Sequence, residues 1–454
     1  MRPLLAGLLM LVAGCEAPPA PHPVVNVGPR STLSDDEATI ARRACRYRAG
    51  ELPGITLAKT DPVGTEIPID TIVVLMFENR SFDHIFGDLG ATQPEADVAP
   101  ADAMNLDSGG HPIRRFHDTE YCFGDTNHEW SGSHGQWNGG KMDGFVRTNE
   151  GFMGATDGVR AMSCYTAADL PTFHFAADTF AVADRYFCSL LGPTFPNREY
   201  LYAATSFGTT NGQLFKDYHP TLLDALSDSN VPWRVYYEVI PGPGMFLETL
   251  SRTLPDHFDK LPYFFEAAAA GTLDNVVFVD PDLKNEWGGG NDMHPPGDVQ
   301  NGDAFLTRVI EALIRSPQWP RIALFVTFDE HGGLYDHVPP PPACPPDDLL
   351  PIVSDPLGPF DAKFDRYGFR VPAIVISPWA KPHFVSHRIY DHTSIARFIE
   401  ARFRLAALTA RDANADPMLD MFDFSRPALM VPPLPAINVD AVKLQACRVK
   451  YPKE

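Results

Sequence analysis

The sequence predicts an α/β fold built around one large buried sheet. Two observations carry that expectation. Several short runs are β-branched and apolar without alternation, as strands covered on both faces are. Amphipathic helical stretches lie between them, and alternating buried strands and helices make an α/β domain. A third observation points to the site. The runs end abruptly in carboxylate and amide side chains, at the strand ends where α/β sheets place their chemistry.

Residues 1–15 are the first element. Met1-Arg2 leads an apolar run from Leu4 to Val12, then Ala13-Gly14-Cys15. A basic start, a hydrophobic stretch and small residues describe a secretory signal. The run is too short to span a bilayer as a mature helix. Val12-Ala13-Gly14-Cys15 also reads as a lipobox, which predicts lipidation at Cys15, a membrane anchor and a periplasmic or cell-surface location. A plain signal peptide is the alternative. No twin-Arg pair stands at the start, so Sec export is expected. Residues 16–66 read as a tether rich in Pro, Ala and Val, with a short helix within 36–49.

The domain proper is expected over 67–435. Its first strand is Ile69 to Phe77, ending in Glu78-Asn79-Arg80-Ser81. Val276 to Asp280 is another, and so is Val371 to Ser377. Arg321 to Phe328 ends in Asp329-Glu330-His331-Gly332-Gly333. Helices are expected over Gly302 to Ile314, with Phe305, Val309, Ala312 and Leu313 on one stripe, and over Ser394 to Phe403. The stretch 91–190 is rich in Gly, His, Trp and Asp without a clear period, and reads as an insertion over the site. Pro339 to Pro342 reads as a rigid surface excursion, and 436–454 as a C-terminal tail.

Composition narrows the function. Among 454 residues, 44% are hydrophobic and 21% charged, the balance of a globular protein rather than a disordered or multi-span one. With 44 prolines, 34 glycines and 30 phenylalanines, a loop-rich enzyme with an aromatic core fits better than a helical bundle. Asp and Glu number 58 against 37 Lys and Arg, a net charge of −21. That excess argues against nucleic-acid binding, which needs basic stripes. Of seven cysteines, Cys15 lies in the lipobox; Cys45, Cys122, Cys164, Cys188, Cys344 and Cys447 remain. An even set in an exported chain admits up to three disulfides. Pairing Cys45 with Cys447 would tie down the termini; buried thiols are the alternative. No Cys-x-x-Cys pair suggests a zinc ribbon.

Glu78-Asn79 and Asp329-Glu330 are hard oxygen donors at two strand ends. Converging at one sheet edge, they would hold a divalent cation; alone, each would be a solvated turn. Thr194 sits in Gly192-Pro193-Thr194-Phe195-Pro196, a turn stiffened by two prolines. A hydroxyl so held serves as a nucleophile beside a cation, or as a helix cap. His128, His134, His294 and His331 are candidates to touch a phosphoryl oxygen, a metal or a leaving group. His337 and His392, each in Tyr-Asp-His, read as structural.

From Phe77 to Gly87 the chain resembles a bacterial phosphoesterase family, which holds the phosphatidylcholine-hydrolysing phospholipases C and a related acid phosphatase. Gly192 to Arg198, Asp329 to Pro341, Arg370-Val371-Pro372, Ser377 to Lys381 and Asp391 to Ser394 follow its pattern in order. The resemblance implies an alkaline-phosphatase-like, three-layer α/β/α fold with a central, mostly parallel sheet. It implies Glu78, Asn79, Thr194, Asp329 and Glu330 as metal ligands and Thr194 as nucleophile, forming a phospho-threonine. His294 would contact the phosphoryl group or protonate the leaving group. His128 or His134 would assist, and His331 would neighbour the metal pair. Calcium, magnesium, manganese, zinc and iron all suit the donors. Thr194 with Asp329-Glu330 matches the phospholipase C branch. The short stretch after the last motif matches the acid phosphatase branch, whose substrates are phosphomonoesters. A non-catalytic binding protein on the same fold is the third alternative. Selectivity is expected from residues 91–190 and 235–260.

Overall fold

The structure, a computed structural model, describes residues 29–155, 157–253, 256–283, 290–353, 363–437 and 439–452. The signal, the lipobox Cys15 and the tether up to residue 28 lie outside the described residues. The central sheet is formed by β1 (Thr71–Phe77), β2 (Ala181–Ala183), β3 (Trp233–Tyr237), β4 (Phe258–Lys260), β5 (Val276–Asp280), β6 (Ile322–Phe328), β7 (Ala373–Ile376) and β8 (Phe384–Ser386). Their order across the sheet is β8-β2-β7-β6-β1-β5-β3-β4. β1 runs parallel to both β6 and β5, and the pairs β5–β3, β3–β4 and β2–β8 are parallel too. β7 alone runs antiparallel to its neighbours, β6 and β2.

The helices that bear on the site are α1 (Asp35–Arg43), α2 (Trp130–Trp137), α3 (Pro171–Thr179), α4 (Thr194–Ala203), α5 (Val299–Ile314), α6 (His392–Phe403) and α7 (Ala441–Lys450). Side chains on one strand alternate between faces, which sorts the helices into layers. Phe77 and Phe328 point to one face, where they meet Phe173 of α3; Phe77 also meets Phe305 of α5. Phe325, an odd step from Phe328, points the other way and packs on Phe398 of α6. α6 in turn packs on α4. Two helical layers around a sheet are the expected α/β/α sandwich. β1 and β6 are buried along their whole length, so their continuous apolar sequences leave no polar face.

Three expectations need correction. The stretch 91–190 is not wholly an insertion: its last part supplies α3 and the internal strand β2. Ala181-Val182-Ala183 is too short and too bland to read as a strand, and β7 and β8 on either side make it one. Cys45 pairs with Cys344 rather than with Cys447, which pairs with Cys122. Cys164 and Cys188 are buried thiols. The pairs bring residues 299 and 325 positions apart together, which no spacing rule could choose. The helix expected within 36–49 is α1, which begins earlier and ends at Arg43. Ser34 and Glu37 close a capping box at its start. Among the described residues, no helix is long and apolar enough to cross a membrane.

Candidate active site

The register of β1 and β6 builds the site. Phe77 lies opposite Phe328, so Glu78-Asn79 and Asp329-Glu330 leave the sheet side by side. The two exits are stitched together. The Asp329 amide donates to the Phe77 carbonyl at 3.1 Å and the Arg80 amide to the Glu330 carbonyl at 3.1 Å. The Asn79 amide reaches Asp329 Oδ1 at 3.1 Å. Asn79 has φ +62°, a left-handed conformation that asparagine tolerates better than most residues. Gly332 passes so close that a Cβ there would meet the Asn79 carbonyl oxygen at 2.2 Å. Only glycine allows the Asp329-Glu330 turn to fold back over Asn79.

Arg198 completes the cluster. Its guanidinium lies 3.1 Å from Glu78 Oε1 and 3.2 Å from Asp329 Oδ2. Arg198 and Thr194 sit four residues apart on α4, hence on one helix face. Thr194 thus lies one helical turn before Arg198, on the face from which Arg198 reaches the carboxylates. Pro193 is the N-cap and Thr194 the first helical residue, so Thr194 is not the cap that the alternative reading supposed. Asn197 locks the turn: Nδ2 donates to the Gly192 and Pro193 carbonyls, and Oδ1 accepts from the Leu190 amide. The positive end of the helix dipole thus faces the site. Behind it, His392 Nε2–H donates to the Asp329 carbonyl at 2.7 Å, and burial holds this imidazole neutral, down to about 3.

Charge shows what the cluster wants. Glu78 and Asp329 share the one guanidinium of Arg198, and Glu330 is buried beside them with His128 as its cationic neighbour. Burial pushes Glu78 up to about 8, against the pull of Arg198. Burial, with the charge of Asp329 added, pushes Glu330 well above the usual carboxylate range, against the pull of His128. Asn79 Oδ1 and Glu330 Oε1 are buried without a hydrogen-bond partner among the described residues. Orphaned oxygens, and carboxyl groups that burial keeps from ionising, fit a divalent cation, which carboxylate and carboxamide oxygens bind readily.

The histidines divide. His128 stands with its ring nitrogens 3.4 Å from Asn79 Nδ2 and donates Nδ1–H to the Thr126 carbonyl at 2.7 Å. Its burial works against a charge, but Glu330 and Asp125 raise it to about 9. His294 meets it ring to ring at 5.9 Å, nearly perpendicular. Asp125, His128 and His294 bring one polar atom each within 4.8 Å of the others. His134 does not join them. It lies one turn into α2, packs tilted against Trp130 at 4.4 Å between ring centroids and is pulled down to about 4 by burial. It lines a separate cleft of about 440 Å³ with Trp137, Leu190 and Arg366. His331 is also not a surface for substrate: it is fully buried behind Glu330, against Phe369, and bonded to Gln136 at 2.6 Å. Either histidine of the 128–134 segment satisfied the sequence; the helix start at Trp130 separates them. The sequence reading missed Arg198 and Asp125. Arg198 was visible at helical spacing from Thr194; Asp125 carried no signal.

Residues 69–406 match the phosphoesterase family, a span holding every residue of this cluster. The chain belongs to the phosphoesterase family. Its activity class is therefore hydrolysis of phosphoric ester bonds. This phosphoesterase is 35% identical over 376 residues to Non-specific phospholipase C1 of Arabidopsis thaliana, covering 77% of this chain and 70% of the plant protein. It is 32% identical over 486 aligned positions to Phospholipase C B of Mycobacterium tuberculosis, covering 94% of this chain and 90% of the relative. Among solved structures, a protein in the alkaline phosphatase superfamily from Vibrio parahaemolyticus aligns with a TM-score of 0.40 and 10% identity, over 85% of this chain and 79% of its own.

Proposed function

We propose that this phosphoesterase is an exported, cation-dependent enzyme that cleaves phospholipid headgroups as a phospholipase C does, through a phospho-Thr194 intermediate. The observation that carries the reading is the Arg198 clasp on Glu78 and Asp329, one helical turn from Thr194 on the same face of α4. Glu78, Asn79, Asp329 and Glu330 would hold the cation beside Thr194. Bound there, it supplies Lewis-acid stabilisation of the threonine alkoxide and of charge growing on phosphorus.

Thr194 Oγ1 attacks phosphorus in line. The Oγ1–P bond forms as the bond from phosphorus to the leaving alcohol breaks. Backbone N–H groups at the start of α4 face the equatorial oxygens. His294 or His128 gives the departing oxygen its proton; the raised affinity of His128 for a proton keeps it charged at neutral pH. Water then attacks phosphorus, the Oγ1–P bond breaks to free Thr194 and release the headgroup phosphoester, and the water's proton passes to the same histidine. With a phospholipid the alcohol is diacylglycerol. The relatives named phospholipase C favour this diester reading over the phosphomonoesterase one. The mycobacterial relative is covered almost end to end, so a short stretch after the last motif does not favour the phosphatase branch.

The purified protein is expected to cleave a phosphocholine diester with a chromogenic leaving group at least ~10 times faster than an aryl phosphate monoester. Chelator should abolish both rates. The opposite preference would make it a phosphomonoesterase. Inactivity on both by a folded, cation-loaded protein would favour the binding-protein reading.

Two disulfides belong to an oxidising compartment, in keeping with export. We infer a lipid anchor at Cys15. Cys15→Ser should move the protein from the membrane to the soluble fraction; an unchanged distribution would leave only a cleaved signal.

A further inference from the structure

We infer that Arg80 is the positioning residue for His294. This rests on the reading above, with His294 rather than His128 taken as the group at the leaving oxygen. Arg80 immediately follows Glu78-Asn79 and is fully buried. A buried guanidinium is costly unless its charge is answered, and the usual answer is a carboxylate. Asp125, Asp118 and Asp292 act on the charge of Arg80 from a distance, but its nitrogens are spent otherwise. Nε and Nη2 both donate to one acceptor, the Met293 carbonyl, at 2.8 and 2.6 Å. Nη1 donates to His84 Nε2 at 3.2 Å. His84 is set to accept, because its Nδ1–H goes to the Ser163 carbonyl at 2.8 Å and burial beside Arg80 keeps it neutral. The Phe123 ring lies 4.9 Å from the guanidinium carbon. Every contact steers the fork toward Met293, the residue before His294.

Met293 needs such a grip. Its φ is +75°, a left-handed conformation that a non-glycine residue keeps only when its surroundings enforce it. The enforcement is visible on three sides. Arg80 clamps the carbonyl. The buried Met293 side chain lies over Gly302 of α5, where a Cβ would meet its Cγ at 2.2 Å. Asp292, on the other flank, accepts the Glu78 amide on its carbonyl at 2.9 Å and the His294 amide on Oδ1 at 3.1 Å. The loop that carries His294 is thus fastened to residues 78–80 at two points, one of them the Arg80 fork. The same strand end that presents the cation ligands fixes the reach of the histidine. Arg80 itself touches neither substrate nor cation in this scheme.

The test separates positioning from mere folding. Arg80→Met, Arg80→Lys, His294→Asn and the double variant Arg80→Met/His294→Asn are assayed on two phosphocholine diesters. One releases 4-nitrophenol, which needs no proton; the other releases a primary aliphatic alcohol, which does. Arg80→Met should lower kcat for the aliphatic ester by about 100-fold and for the nitrophenyl ester by less than about fivefold, with KM unchanged. In the double variant, Arg80→Met should cost less than about twofold beyond His294→Asn alone. Arg80→Lys, with one fork of donors lost but the charge kept, should fall between. Melting temperature and bound-cation content are measured alongside, and Arg80→Lys decides the matter if Arg80→Met does not fold. Equal slowing on both esters, additive losses in the double variant, or loss of the cation would overturn the proposal and make Arg80 structural. If His294→Asn itself ignores the leaving group, the proton-donor reading fails. That failure is seen in the single His294 variant, apart from anything Arg80 does.

Discussion

Thr194→Ala is expected to abolish turnover while leaving the fold intact. Removing a covalent nucleophile from a hydrolase typically costs on the order of 10⁵–10⁶ in kcat. The helix should survive, because Thr194 is not its cap and alanine is a good first-turn residue. The turn is held instead by Asn197, whose three hydrogen bonds the substitution leaves alone. Stability should therefore stay within about 0.5 kcal/mol of wild type. Thr194→Ser should keep measurable activity, since the hydroxyl remains at the same helix start. Acid-quenching the wild-type enzyme during turnover of a phosphocholine diester should trap the phosphocholine group on Thr194, and the Ala variant should trap none. Thr194→Ala with a normal rate, or label on another residue, would sink the covalent mechanism.

The central strands were legible because burial on both faces leaves a sequence no choice but apolar side chains. Residues 71–77 and 322–328 announce themselves in that way. Their partnership was only implied, and the pairing of Phe77 with Phe328 is what turns two polar strand ends into one cluster. The strand at 181–183 could not be seen: its character comes from neighbours some 190 residues away. Cysteine pairing was equally hidden, since an even count says nothing of which thiols meet. At the site, residue type was enough to mark Glu78-Asn79 and Asp329-Glu330 as one cluster, because few buried roles suit a carboxylate pair. It did not suffice for histidine. His134 and His331 occupy buried, neutral environments in which an imidazole packs like an aromatic ring. Only the start of α2 and the Gln136 contact remove them from the site. Arg198 went unread for the opposite reason: an arginine next to an asparagine in a helix looks like solvent-facing surface until the fold buries it.

Stripped of divalent cation, the protein is expected to lose stability as pH rises from about 5 to about 8. The sign follows from Glu78. Its ordinary value is 4.5 and burial raises it to about 8 in the folded chain. A carboxyl raised on folding contributes stability below its unfolded value and loses it as pH climbs through its folded one. Glu330 is raised as well, and His128, raised from 6.5 to about 9, acts in the same direction. Arg198 tempers the effect for Glu78, while Asp329 worsens it for both glutamates. Glu78 alone should account for ~3 kcal/mol of loss across that range, and the other two groups add to it. A saturating divalent cation should flatten the curve, because it takes the place of the protons that Glu78 and Glu330 hold. Cation binding near pH 7 should then release protons, measurable in buffers of different ionisation enthalpy, and should tighten as pH rises. Arg198→Met should steepen the cation-free curve, leaving the carboxylates with no positive partner on α4. A cation-free protein whose melting temperature is flat from pH 5 to 8, or which binds cation without releasing protons, would show that these carboxylates are not the ligands. The reading of Thr194 would then lose the group that is meant to activate it.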